Sequence, residues 1–390
     1  MSEIRVDSIG NESNTGGPVL SGITEFSGQQ YFIPPKGTTA ERPSDCPPGS
    51  IRFNTDSAHL EYFNGNVWLE FEASSEELGN QLVLNSTRGT GHRGVFAGGY
   101  VPGGGHDQDR IDYFTISTLG NAQDFGNLSN ARRGFDGASS NTRAVFSGGA
   151  GANGSGDTLV QDFITISSTG NAASFGSLVA GRENGKSCGN QTRGMHCGGG
   201  NTPAPFTNVM NYFTIASTGS CQEFGSLTFT TSSCGSLSSP IRGIFTANGP
   251  SPGSVKNHID YWTISTTGNA QDFGDLSSNF TGAATACSGS KVRGLFTGQT
   301  NPAAANTINF ITISTTGNAQ DFGDLSYVVQ SANATSDSIR MVVAGGGTPS
   351  PVTNIMSFVT ISTLGNGSDF GDLTMARFSQ AAASNGHGGL

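Results

Sequence analysis

The chain has 390 residues and carries 29 acidic against 19 basic ones, a formal net charge of −10. That balance, with no basic stripe, argues against a nucleic-acid groove, and no apolar run approaches the roughly 20 residues of a membrane-spanning helix. With 58 glycines and only 12% charged residues the composition borders on low complexity, but 25 phenylalanines in regularly spaced apolar triplets argue for a packed fold.

In chain order, residues 1–30 are polar, with Gly16, Gly17, Pro18 and Gly22, and predict an extended arm. The stretch from Met1 to Asp7 lacks the basic and then apolar regions of a signal peptide, so a soluble product made in a cytoplasm is expected. A proline-rich linker, Pro34 to Gly49, leads into three short strands over Ser50–Thr55, His59–Phe63 and Val67–Phe71. Asn64-Gly65 is a type I′ hairpin signal. Residues 31–85 therefore read as a small β-meander, marginal alone at that size and expected to oligomerise or to dock on a partner.

From residue 86 onward one unit recurs. The Thr that opens a T-I-S/A triplet stands at Thr115, Thr165, Thr214, Thr263, Thr312 and Thr360, at steps of 50, 49, 49, 49 and 48 residues. A D-F-G-like triplet follows each one. A period of this size marks a repeat architecture. Each unit reads as four strands, seen in the copy beginning at Ala131: a small-residue strand to Ser140, an apolar strand Thr142–Gly149, a β-branched and aromatic strand Asp162–Ser167, and Ser174–Leu178. Gly170-Asn171 between the last two is a hairpin signal, and no segment holds a helical period. Four antiparallel strands in about fifty residues describe a propeller blade. The first copy, beginning at His92, lacks its small-residue strand, and the tail Met375–Asn385 matches Ala131–Asn141. The C-terminus is thus expected to supply that strand and close a six-bladed propeller over residues 86–390, leaving no free sheet edge. An open β-solenoid would have no reason to carry a permuted strand.

Arg93, Arg143, Arg193, Arg242, Arg293 and Arg340 occupy one slot of all six copies. They read as an anion-binding ring or, as repetition in every copy favours, as scaffold arginines bonded to backbone or to acids such as Asp124, Asp272 or Asp321. Asp124, Glu223, Asp272, Asp321 and Asp369 lack the oxygen spacing of a calcium loop and read as solvated edge acids. Cys188, Cys234 and Cys287 replace small residues near one slot, and with Cys46, Cys197 and Cys221 they form no C-x-x-C or Cys/His zinc spacing, so buried thiols are expected. No nucleophile elbow, P-loop or H-E-x-x-H occurs. Asp107 and Asp109, close in sequence and read as exposed, make a poor glycosidase pair. No catalytic residue, metal site or cofactor is assigned. Candidate binding residues lie in the loops that differ between copies: Tyr100, His106, Asp107, Asp109, Phe206, Lys256 and His258. The competing reading of those loops is ordinary solvated connectors.

Three stretches carry a resemblance. Gly49–Ser57 with Leu60–Gly65 and Trp68 resembles a small module of tail-fibre and other virion proteins of tailed phages. Met1–Ile9 is similar to the start of structural proteins from marine cyanobacterial phages, and the repeat wording from Arg93 to Leu128 resembles propeller repeats in those phages. The glycine pairs after an apolar strand (Gly98-Gly99, Gly148-Gly149, Gly345-Gly346) resemble kelch blades, although the kelch Tyr/Trp pair is missing and Gly298 stands alone. The resemblance implies a virion protein assembled in the host cytoplasm, anchored to other virion proteins by its N-terminus. As a fibre or adhesin it would meet a host-surface glycan or protein receptor, with trimerisation as in many phage fibres. A capsid or tail decoration protein and a polysaccharide-degrading spike are the other virion readings.

Overall fold

In the computed structural model, residues 34–57, 59–70, 92–102, 106–151, 156, 158–200, 206–231, 235–246, 257–277, 286–298, 305–347 and 352–386 are described. The expected arm at residues 1–30 lies outside them. The chain divides into two compact units, Met1–Leu84 and Asn85–Leu390.

The first unit is a four-stranded sheet in chain order, Lys36–Gly37, Ile51–Asn54, His59–Phe63 and Trp68–Glu70. The expected meander is present, with an added two-residue strand pairing parallel to Ile51–Asn54. Its hairpin is centred on Gly65-Asn66 rather than Asn64-Gly65. The Asn64 carboxamide oxygen accepts from the N–H groups of Asn66 and Val67, and Gly65 takes φ +104°. One sheet face is polar: Glu61 is fully buried and accepts from Arg42 at 2.5 Å and from Asn54 at 3.2 Å. The hydrogen bond from Arg42 holds the Glu61 carboxyl below the usual carboxylate range. The opposite face carries Ile51, Leu60 and Leu69, all exposed.

The second unit is all-β. Among the described residues it holds six four-stranded antiparallel sheets. In five of them the strands lie side by side in chain order. The second sheet, Asp136–Ser139, Arg143–Ser147, Val160–Thr165 and Ala173–Ser177, follows the four predicted stretches closely. The first sheet takes its inner strand from the C-terminus: Ala381–Ser384 pairs antiparallel with Arg93–Ala97, followed by Arg110–Thr115 and Gln123–Asn127. Third to sixth sheets open with Lys186–Gly189, Ser236–Ser238, Ala286–Gly289 and Asn333–Ser336.

Six buried apolar clusters each draw on two successive sheets, and one of them joins the sixth to the first through Val342, Met356 and Phe370 with Phe96, Phe114 and Ile116. A single four-stranded sheet cannot hide both of its faces by itself, so each depends on its neighbours. The repeat's constant words serve this contact. The Phe of each D-F-G-like triplet is buried while the residue before it, an acid in five copies and Ser174 in the second, is exposed.

The Gly-Asn pair differs from the expected tight hairpin. Seven residues, 166–172, separate the strands ending at Thr165 and beginning at Ala173. The pair instead docks on the preceding sheet: Gly170 N–H donates to the Phe125 carbonyl, and the Asn171 side chain accepts from Asn127 N–H. The same docking bond recurs from Gly219 to Phe175, Gly268 to Phe224, Gly317 to Phe273, Gly365 to Phe322, and from Gly120 of the first sheet to Phe370 of the sixth. It explains the D-F-G glycine. Gly126 has φ +144° and lies against the Gly170 carbonyl where a Cβ would collide.

The six recurrent arginines hold the same interface. Arg93, Arg143, Arg193, Arg242, Arg293 and Arg340 each stack over an aromatic ring of their own sheet at 4.3–4.9 Å. Each donates from Nη1 to the Ile carbonyl of the next T-I-S/A triplet, Arg93 to Ile166 and finally Arg340 to Ile116. Their partners are backbone and π faces rather than the D-F-G acids.

Candidate functional site

Two places concentrate polar chemistry: the variable connections between second and third strands, and the first residues of the inner strands.

In the connection 98–109, Tyr100 forms antiparallel bridges with Asp107 and Phe378. Its ring meets Phe378 edge-on at 5.4 Å, and the Arg133 guanidinium covers it at 4.8 Å. Arg133 also donates to Asp107 at 2.8 Å. Asp107 is only 5% exposed, which corrects the expectation of a solvated acid: a guanidinium from the following repeat folds over it. Tyr100 is a strut in that cluster, with one ring face already covered. His106 and Asp109 are exposed. Phe206 is 38% exposed, beside Gly200. His258 opens a strand rather than sitting in a loop, 3.5 Å from Asp272 and 3.6 Å from Asp275, edge-on to Phe229. Lys256 lies outside the described residues, as does Cys234. Tyr100 and Asp107 are thus brought together, while Phe206 and His258 belong to other sheets.

The second place was invisible as a site in the sequence. The inner strands are built of Ala, Gly, Ser and Cys, so they can approach one another closely. Serine hydroxyls link neighbours. Ser139 Oγ donates to the Ser384 carbonyl at 2.7 Å, Ser384 Oγ to Ser336 at 2.5 Å, Ser336 Oγ to Gly289 at 2.6 Å and Ser238 Oγ to Gly189 at 2.5 Å. Asp136, Ser187, Ser236, Cys287, Asn333 and Ser384 are among the residues lining a cavity of about 30 Å³ between these strands. That holds a water or two and excludes a sugar ring.

Three inner strands open with a functional side chain where others have Ala286 or Ala381: Asp136, Lys186 and Asn333, all at least 94% buried. Asn333 Nδ2 donates to Asp136 Oδ1 at 2.9 Å, and Lys186 Nζ lies 3.8 Å from Asp136 Oδ2. Asp136 also accepts from the N–H groups of Ser187 and Gly137. Beside them His196 is fully buried, and its Nδ1 shares a hydrogen bond with Ser187 Oγ at 2.9 Å. Burial first, and then Arg182 and Lys186, hold His196 well below its usual pKa, so it stays neutral.

A third buried set varies between repeats. Arg377 pairs with Asp112 at 3.1 Å and Arg132 with Asp162 at 2.8 Å, all four side chains fully buried. In the third sheet Arg182 meets Asn211 instead, and in the fourth Asp260 stands with Thr228 and no arginine. Cys188, Cys197, Cys221 and Cys287 are buried as thiols, as expected, whereas Cys46 in the first unit is only half-buried; burial pushes Cys221 up to about 12. Among the described residues no group of three or more His, Cys, Asp or Glu is placed to hold a metal ion, and no helix is long and apolar enough to cross a membrane. No protein-family model matches the chain, and a search of curated proteins finds no match.

Proposed function

We propose that the second unit is a closed six-bladed β-propeller, and that the chain is a virion structural protein of a tailed phage whose propeller recognises a host surface and whose N-terminus anchors it to other virion proteins. Closure is supported by the inner strand drawn from Ala381–Ser384 and by the sixth-to-first bonds of Gly120 and Arg340. The virion reading rests on the three sequence resemblances.

One observation favours recognition over catalysis. The constant residues of the repeat are consumed in contacts between sheets, the buried polar residues that vary pair with one another, and the inner cavity is too small for a sugar, so the differences between copies that a large ligand could reach lie at the surface. In a propeller the variable connections share one end. The candidate contacts are Tyr100, His106, Asp107, Asp109, Phe206, Lys256 and His258, with Asp107 acting through Arg133. A trimer formed through residues 1–85 would present three such ends.

The test is competition. Purified full-length protein should block adsorption of the phage that carries it, and His106→Ala with Phe206→Ala should weaken that block. Full-strength competition by the variant would remove these loops as the receptor surface. No competition, together with hundreds of copies per particle, would make the chain a decoration protein. Release of reducing sugars from host polysaccharide would make it an enzyme.

A further inference from the structure

We propose that Lys186 and Asn333 become joined by an intramolecular isopeptide bond, with Asp136 as the proton-transferring group. The three side chains open inner strands of the third, sixth and second sheets and meet at one level. Such a bond needs an amine, a carboxamide and an acid that touches both the attacking and the departing nitrogen, all shielded from water. Asp136 stands between the two nitrogens: Oδ2 lies at ion-pair distance from Lys186 Nζ, 3.8 Å, so Nζ must move closer to pass its proton, and Oδ1 accepts from Asn333 Nδ2, the leaving nitrogen, at 2.9 Å. The carboxamide is fixed by hydrogen bonds at both its nitrogen and its oxygen. Asn333 Nδ2 also donates to the Gln380 carbonyl, and its oxygen accepts from Ala334 N–H at 2.9 Å, a donor placed where negative charge develops. Lys186 and Asn333 are each 4% exposed, so bulk water is kept from them.

In the reaction Asp136 takes a proton from the Lys186 ammonium. The neutral Nζ forms a bond to Asn333 Cγ while the carbonyl electron pair moves onto Oδ1. Asp136 then delivers that proton to Nδ2, the pair on Oδ1 returns, and the Cγ–Nδ2 bond breaks to release ammonia; Asp136 takes the second proton from the newly bonded Nζ and passes it to that ammonia. Both protons shed by Nζ end on the departing nitrogen, so an ammonium and a primary amide become a secondary amide and an ammonium ion. Asp136 is regenerated, and no oxidant, reductant or metal is consumed. The link would tie the third sheet to the sixth, whose strands here meet through Asp136 of the second.

Intact mass spectrometry of the denatured full-length protein tests this. The expected mass is that of the sequence less one ammonia, and a digest should yield one branched peptide containing residues 186 and 333. Lys186→Arg keeps a cation beside Asp136 but should restore the full mass, as should Asp136→Asn. A wild-type protein of full mass after prolonged incubation in its folded state overturns the proposal. So does an ammonia loss that persists in Lys186→Arg, or one mapped to other residues.

Discussion

Asp162→Asn isolates the cost of a buried charge without changing shape. Asp162 is fully buried and accepts from Arg132 Nη1 at 2.8 Å, Ser129 Oγ at 2.7 Å and Ser129 N–H at 3.2 Å. Burial lowers the Arg132 pKa, and Asp162 is the charge that opposes this shift. Removing the carboxylate charge strands a guanidinium that cannot reach water, a situation that costs about 3–5 kcal/mol. The third sheet carries the same change naturally as Arg182 and Asn211, with Arg182 also donating to the carbonyls of Gly198 and Val209. Because Asn can therefore occupy the slot, the lower end, about 3 kcal/mol, is expected. Urea unfolding followed by far-ultraviolet circular dichroism measures it, with the denaturant slope checked for change. Arg132→Met combined with Asp162→Asn should recover part of the loss, since neither buried charge then remains. A single-variant loss below about 1 kcal/mol, or a double variant less stable than Asp162→Asn alone, would refute the assignment of the cost to an uncompensated charge.

Deleting residues 375–390 removes both the inner strand of the first sheet and Arg377, the partner of Asp112. It should abolish cooperative thermal unfolding at the wild-type temperature, and a truncated protein that melts like the full chain would show that this strand is dispensable. Gly126→Ala should cost about 1–3 kcal/mol, because an L-residue at φ +144° is strained and its Cβ meets the Gly170 carbonyl. Calorimetry of the variant would expose an error by returning an unchanged melting temperature. Asp260 has its pKa raised from 3.8, chiefly by burial. Its protonated form is therefore favoured in the native state, so its contribution to stability is greatest below the unfolded value and falls as pH rises through the raised native one. Asp260→Asn should flatten that segment of the stability–pH curve, and an unchanged slope would contradict the shift.

Much of this protein is readable from its sequence because repetition averages out local ambiguity. Six copies of T-I-S/A and D-F-G fix strand order and spacing even where a single copy would be doubtful, and the tail from Met375 reveals its own place by matching Ala131–Asn141. Roles that depend on which sheet comes next were not readable. The recurrent arginines reach carbonyls about seventy residues away, and Gly-Asn serves a neighbouring sheet rather than its own hairpin. Asp107 looks solvated until Arg133 of the next repeat covers it. Asp136, Lys186 and Asn333 are single departures from a small-residue pattern, 50 and 147 residues apart in order, and each taken alone reads as a tolerated substitution. Local patterning determines which side chains a strand buries. Only the tertiary packing of the strands that carry them decides that these three are buried together, with Asp136 beside both Lys186 and Asn333.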